Sequence, residues 1–167
     1  MSKKKLAVFT DTRVFRGALK RHTVSIERKT GADIRQAYYD LALDTSYTFS
    51  SLEPSAAIVL IKKLDNKKTF QFAHLVQDAI FKEGKRLDKY ATYEPILTEL
   101  HINKTQFKNR WMTPTNIQNT KDEFVRANKI SYGFPSLFLS KNGKTNVIAA
   151  GEFDPKDITK ILDKEFK

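Results

Sequence analysis

Cysteine is absent from all 167 residues. Disulfides, thiolate metal sites and thiol nucleophiles go with it, because no other side chain supplies the sulfur. Long apolar runs are missing too. None approaches the roughly 20 residues that cross a bilayer as a helix. The basic start, Met1-Ser2-Lys3-Lys4-Lys5, is followed only by Leu6 to Thr10, too short for the core of a secretory leader. A cytoplasmic location without a membrane partner is expected. Histidine is scarce, and His22, His74 and His101 stand at no ligand spacing. No metal or other cofactor is expected.

What remains is the composition of a folded protein. Apolar residues make up 40% and aromatics 11%, enough for a sizeable core in one domain or two lobes. The formal charge is +11. It is concentrated at the start: residues 1–30 hold nine Lys/Arg against Asp11 and Glu27. A basic end of this kind attracts nucleic acid, an acidic partner or anionic lipid; a solvated surface is the simpler explanation.

The pattern along the chain is mostly helical. Lys4 to Thr10 reads as a short strand, and Thr10-Asp11 as a helix cap. Val14, Phe15, Ala18, Leu19, His22 and Ile26 then fall at helical spacing, and Thr30-Gly31 ends the helix. The alternation Val24/Ile26 leaves a rival strand over Thr23–Arg28. Further helices are predicted over Asp33–Leu43, from Ser51-Leu52-Glu53-Pro54 to Leu64, and over Thr69–Lys82. The last has Phe70, Phe72, Val76 and Ile80 on a wide apolar face and a stop at Glu83-Gly84. Asp44–Ser50 is a linker. Tyr93–Leu100 with an early Pro95, Thr105–Met112 with Phe107 and Trp111 on one face, and a helix capped by Thr113-Pro114 complete the series. In that last helix Ile117, Phe124 and Val125 point inward. His74 reads as a partly buried side chain, and Trp111 with Met112 as core.

The chain then changes character. Gly133 and Pro135 stand two residues apart before the apolar run Leu137-Phe138-Leu139, the signature of a buried strand entered through a rigid turn. Lys141-Asn142-Gly143-Lys144 is a turn, Thr145–Ala150 a second strand, and Asp154–Phe166 a closing helix. Gly143-Lys144-Thr145 mimics the end of a phosphate-binding loop, but Phe138 stands where that loop needs its first glycine. Asn103-Lys104-Thr105 is a glycosylation sequon without use unless the chain is secreted.

Tyr132-Gly133-Phe134-Pro135-Ser136-Leu137-Phe138-Leu139 resembles the thioredoxin-fold segment in which a Gly-x-Pro turn places a cis proline beside the redox site. Phe72 to Gly84 is similar to the helical insertion of the DsbA family, in particular its FrnE-like branch of disulfide isomerases. Ser51 to Ala57 resembles the start of that branch's insertion helix, and Gly151-Glu152-Phe153-Asp154 its closing helix. The resemblance covers about residues 30–167. It implies an α/β, thioredoxin-like fold with a large helical insertion. Residues 1–50 and 128–167 would form the core, and 51–127 the inserted lobe.

The departures lie at the N-terminus. The family carries Cys-x-x-Cys after its first strand, whereas Phe9-Thr10-Asp11-Thr12 is followed here by Arg13-Val14-Phe15-Arg16-Gly17. The stretch before Gly31 is too short for the family's second strand plus helix, so the N-terminal βαβ is reduced or altered. Either Lys4–Thr10 replaces the missing central strand, or the sheet is incomplete and a homodimer completes it. The resemblance implies thiol–disulfide chemistry, which the composition forbids. The first functional expectation is therefore a non-catalytic binding or adaptor module. Tyr132, Gly133, Phe134, Pro135 and Ser136 would form its contact with a protein or peptide. A shortened oxidoreductase or isomerase is the alternative, and a nucleic-acid-associated protein using basic residues 3–29 is the third.

Overall fold

A computed structural model of the protein describes residues 12–131, 133, 135–151 and 153–165. The expected strand over Lys4–Thr10 and its cap lie outside the described residues. The chain divides into two compact units, Met1–Ile117 and Gln118–Lys167.

The helical unit begins with α1 (Thr12–Thr30). The helix prevails over the rival strand at Thr23–Arg28. Its end is set by Gly31 at φ +70, whose N–H reaches Glu27 O at 2.8 Å. Thr23 is buried, and Glu27 meets the Tyr39 hydroxyl at 3.5 Å.

α2 (Gln36–Leu41) is shorter than the spacing predicts. Arg35 is extended, donates its N–H to Phe81 O, and binds Asp33 with both Nε and Nη2. The first turn expected at Asp33 is thereby pulled out of helical geometry. α3 (Leu52–Leu64), a short 3₁₀ turn (Asn66–Lys68) and α4 (Thr69–Phe81) follow. α4 buries Phe72, Val76, Ala79 and Ile80, but Phe70 is 91% exposed. Phe70 lies two residues before Phe72, on the opposite side of a helix with 3.6 residues per turn, so the apolar face is narrower than expected.

The stop at Glu83-Gly84 is a two-bond cap. Lys85 N–H reaches Ala79 O and Gly84 N–H reaches Ile80 O, with Gly84 at φ +63. Gly84 also lies against α2: a Cβ there would stand 2.2 Å from Ala37 O.

α5 (Tyr90–Glu99) starts one turn earlier than expected, which puts Pro95 in mid-helix rather than near its start. A proline there removes one ladder hydrogen bond and costs about 3 kcal/mol. Tertiary bonds hold the extra turn in place. Thr92 Oγ1 donates to Arg86 O at 2.5 Å and the Tyr93 hydroxyl to Leu87 O at 2.6 Å. α6 (Lys104–Arg110) is capped by Asn103, whose Oδ1 accepts from Gln106 N. The sequon asparagine thus serves as a helix cap.

Every buried apolar side chain of the described residues lies between Tyr38 and Trp111. Phe72, Tyr93, Phe107 and Trp111 form its aromatic centre, with Tyr93 and Trp111 rings 4.7 Å apart. Trp111 Nε1 donates to Glu53 O, while Met112 beside it is exposed rather than core. Arg86 closes the Asp44–Ser50 linker onto this core. It binds Asp44, Asp88 and both the hydroxyl and the carbonyl of Ser46, with its guanidinium over the Tyr47 ring.

α7 (Pro114–Ile130) starts at Pro114, and Thr113 Oγ1 accepts from Asn116 N. Asn116 Nδ2 donates to Ala56 O and Trp111 O. Phe124 and Val125, expected inward, are exposed. The buried positions of α7 are polar, Asn116 and Thr120.

The hairpin unit holds β1 (Ser136–Lys141), β2 (Lys144–Ala150) and α8 (Pro155–Glu165). The strands pair antiparallel, Lys141 opposite Lys144 and Ser136 opposite Ala150, with an irregularity between Leu137 and Phe138. Asn142 and Gly143 are both at positive φ, as a two-residue hairpin turn requires, so Gly143-Lys144-Thr145 runs from a hairpin turn into β2 and is not a phosphate loop. α8 starts after Asp154, whose Oδ1 accepts from Lys156 N, and it packs on β2. β1 was expected to be buried and is not. Leu137 is 37% exposed and Phe138 and Leu139 are only half-buried, as Val147 of β2 is 42% exposed, because among the described residues the sheet has two strands with one helix against it.

Candidate functional site

Gly133, Pro135 and Ser136 are described; Tyr132 and Phe134, and with them the Phe134–Pro135 peptide, lie outside the described residues. The turn is closed by two hydrogen bonds. Ser136 Oγ donates to Gly133 O at 2.6 Å, and Gly151 N–H donates to Pro135 O at 2.8 Å. The second bond extends the β1–β2 ladder one residue past Ser136, so Pro135 enters the strand without breaking it. Gly133 and Pro135 are exposed, and a Cβ on Gly133 would meet nothing within 4 Å.

Alternation along the register decides what the strand can offer. Lys141 and Leu139 face β2 with their backbone groups, as does Pro135 through its carbonyl. The backbone N–H and C=O groups of Ser136, Phe138 and Ser140 therefore point to the other edge. Among the described residues no strand pairs there. An edge that no described strand covers, with the Leu137 side chain exposed on the same strand, is what an added strand needs.

The histidines do not converge on a metal-like cluster, and among the described residues no group of three His, Asp or Glu is placed to hold an ion. His74, expected partly buried, is exposed, with Nε2 3.8 Å from Asp78 Oδ2. It lies on α4 opposite the Phe72–Val76 stripe, so the apolar sequence around it does not enclose it.

A cleft of about 670 Å³ opens in the helical unit between the second half of α1, residues 31–34, α2 and the end of α4. Tyr38, Phe81, Ile26 and Ile34 give it apolar walls, and His22, His74 and Lys82 stand at its sides. Its residues come from two stretches of chain, 22–38 and 74–82, and each reads in sequence as an ordinary core or surface position. Burial pushes the Tyr38 phenol above its usual range, and the bidentate Arg35 contact holds the Asp33 carboxyl below its own.

No family model matches the sequence, and no curated protein matches it as a relative. Solved structures do match by shape. A candidate protein disulfide isomerase from Nitrosomonas europaea superimposes with a TM-score of 0.79 at 19% identity, covering 90% of this chain and 73% of that one. The cytosolic disulfide reductase DsbM from Pseudomonas aeruginosa gives 0.71 at 24% identity, covering 90% and 76%, and DsbM with GSH gives 0.68 at 24%, covering 89% and 76%.

Proposed function

The chain has a DsbA-like thioredoxin fold and no cysteine. From these two facts we propose a non-catalytic binding module that takes up an extended protein or peptide segment at the Tyr132–Ser136 turn and along the edge of β1 that faces away from β2. The observation that carries the proposal is the closed Pro135–Gly151 junction leading into a strand edge that no described strand covers. Strand addition draws its affinity from backbone hydrogen bonds and needs no thiol. A cytoplasmic location belongs to the same proposal, supported by the cytosolic neighbour DsbM and by the lack, among the described residues, of any helix long and apolar enough to cross a membrane.

Ser140→Pro tests it. The Ser140 N–H faces away from β2, so a proline there blocks the edge without removing a ladder bond. Peptides selected on the wild-type chain from a random extended library should lose binding to S140P while the variant melts normally. Retained binding would count against the edge as the contact. Self-association abolished by the same variant would identify a second copy of the chain as the occupant.

A second reading rests on length. The alignments leave about a quarter of each neighbour's chain without a counterpart. A shortened copy of a thiol–disulfide oxidoreductase would show the same pattern, and it would bind no selected peptide at the edge.

A further inference from the structure

The cleft in the helical unit is separate from the strand edge, and its chemistry is different. Its volume, about 670 Å³, falls in the range of small-molecule sites, roughly 300–1,000 Å³. Two rings line it, Tyr38 and Phe81, with centroids 5.0 Å apart, and Ile26 and Ile34 extend the apolar surface. Aromatic walls favour a ring as guest, through edge and offset contacts.

Charge narrows the choice. The two carboxylates at the cleft are already matched. Asp33 is held by Arg35 Nε and Nη2, at 3.1 and 2.8 Å, and Asp78 by Lys82 Nζ at 2.9 Å. A cationic guest would have to displace Arg35 or Lys82 from these pairs, and an anionic one would have to draw a cation away from its carboxylate, whereas a neutral guest does neither. Polar wall chemistry narrows it further. Tyr38 is 8% exposed, and its hydroxyl makes no hydrogen bond with the described residues. Such a group gains from a guest oxygen within reach.

We propose that this cleft binds a neutral aromatic small molecule carrying one hydrogen-bonding oxygen, of which a simple phenol is the minimal example. The ring occupies the space between Phe81 and Ile34, and its oxygen pairs with the Tyr38 hydroxyl. The proposal does not depend on the peptide-binding reading, since it uses none of that site's residues.

The test uses the full chain and the neutral fluorophore N-phenyl-1-naphthylamine. Its fluorescence should rise saturably on titration. p-Cresol should displace it about tenfold better than toluene, the difference of one hydrogen bond, and about tenfold better than benzoate, which brings a charge. Ala32→Trp and Gln77→Trp, both at exposed positions on the cleft, should each weaken the fluorophore at least about tenfold by filling it. Phe70→Ala, an exposed ring outside the cleft, should change nothing. Tyr38→Phe should erase the preference for p-cresol over toluene. Fluorophore binding that survives both tryptophan variants, that disappears in Phe70→Ala, or that benzoate displaces as well as p-cresol does would overturn the proposal. So would the absence of saturable binding.

Discussion

Phe107 and Leu137 are both apolar side chains on regular elements, yet Phe107 is fully buried and Leu137 is 37% exposed. The difference belongs to their units. Around Phe107 the helical unit supplies Phe72, Tyr90, Tyr93 and Trp111 as ring neighbours. Around Leu137 there is a two-stranded sheet with one helix against it. Two strands are marginal alone, because burying one face takes a third strand or a larger helical cover. The helical unit is thus a finished core. The hairpin unit, among its described residues, is a surface with apolar side chains still to cover.

The sharpest way to break that contrast is a matched pair of truncations. Phe107→Ala should cost about 3–5 kcal/mol in urea denaturation, a large share of a domain's total stability. Leu137→Ala should change it by only about 0.5 kcal/mol. Equal losses would mean that Leu137 is covered in solution.

Glycines give a second pair. At Gly84 an added Cβ meets the Ala37 backbone and the φ is positive, so Gly84→Ala should cost about 2–4 kcal/mol. At Gly143 nothing stands within 4 Å, and only the left-handed backbone counts, about 1–2 kcal/mol. A third effect, of similar size to that at Gly143, is expected from Asn116→Ala. It strands the carbonyls of Ala56 and Trp111, at about 1–3 kcal/mol by the same denaturation assay.

pH sharpens the comparison from another side. Burial raises the phenols of Tyr93, Tyr38 and Tyr47, all in the helical unit. A group whose folded pKa is raised stabilises fully below its unfolded value, about 10 for tyrosine, and that contribution is lost as pH climbs toward the folded value. Above about pH 10, hydrogen exchange should accelerate in α3–α6, and Tyr93→Phe should blunt the effect. Asp44 and Asp88 run the opposite way. The serine hydroxyl at Ser46 lowers the first and the Arg86 guanidinium the second. Their contribution is present above the usual aspartate range, near 4, and fades as pH falls through the lowered values. Acid should therefore loosen the Asp44–Ser50 linker, by a small amount because these carboxylates are partly exposed and solvent screens their pairs.

Much of this was legible in the residues. Periodicity located α3, α4, α7 and the hairpin, and Gly31, Gly84, Pro114 and Asp154 marked ends that the structure keeps. The resemblance around Pro135 carried the fold. What failed did so for tertiary reasons. α5 gained a turn through the bonds of Thr92 and Tyr93, and α2 lost one to the Arg35–Asp33 contact; neither partner shows in a hydrophobic pattern. Phe124, Val125 and Leu137 were assigned inward because apolar spacing says which residues share a face and not whether anything covers it. The cleft was invisible because its walls come from two stretches, 22–38 and 74–82, that meet only in the fold.

Gly84 carries a consequence for genetics. Every single-base change that alters the meaning of a glycine codon gives a stop or a residue with a Cβ, and here any Cβ collides with the carbonyl of Ala37. A saturation library read out by folded yield should therefore return an almost empty column at this position, while the neighbouring Glu83 and Lys85 accept most of the alphabet.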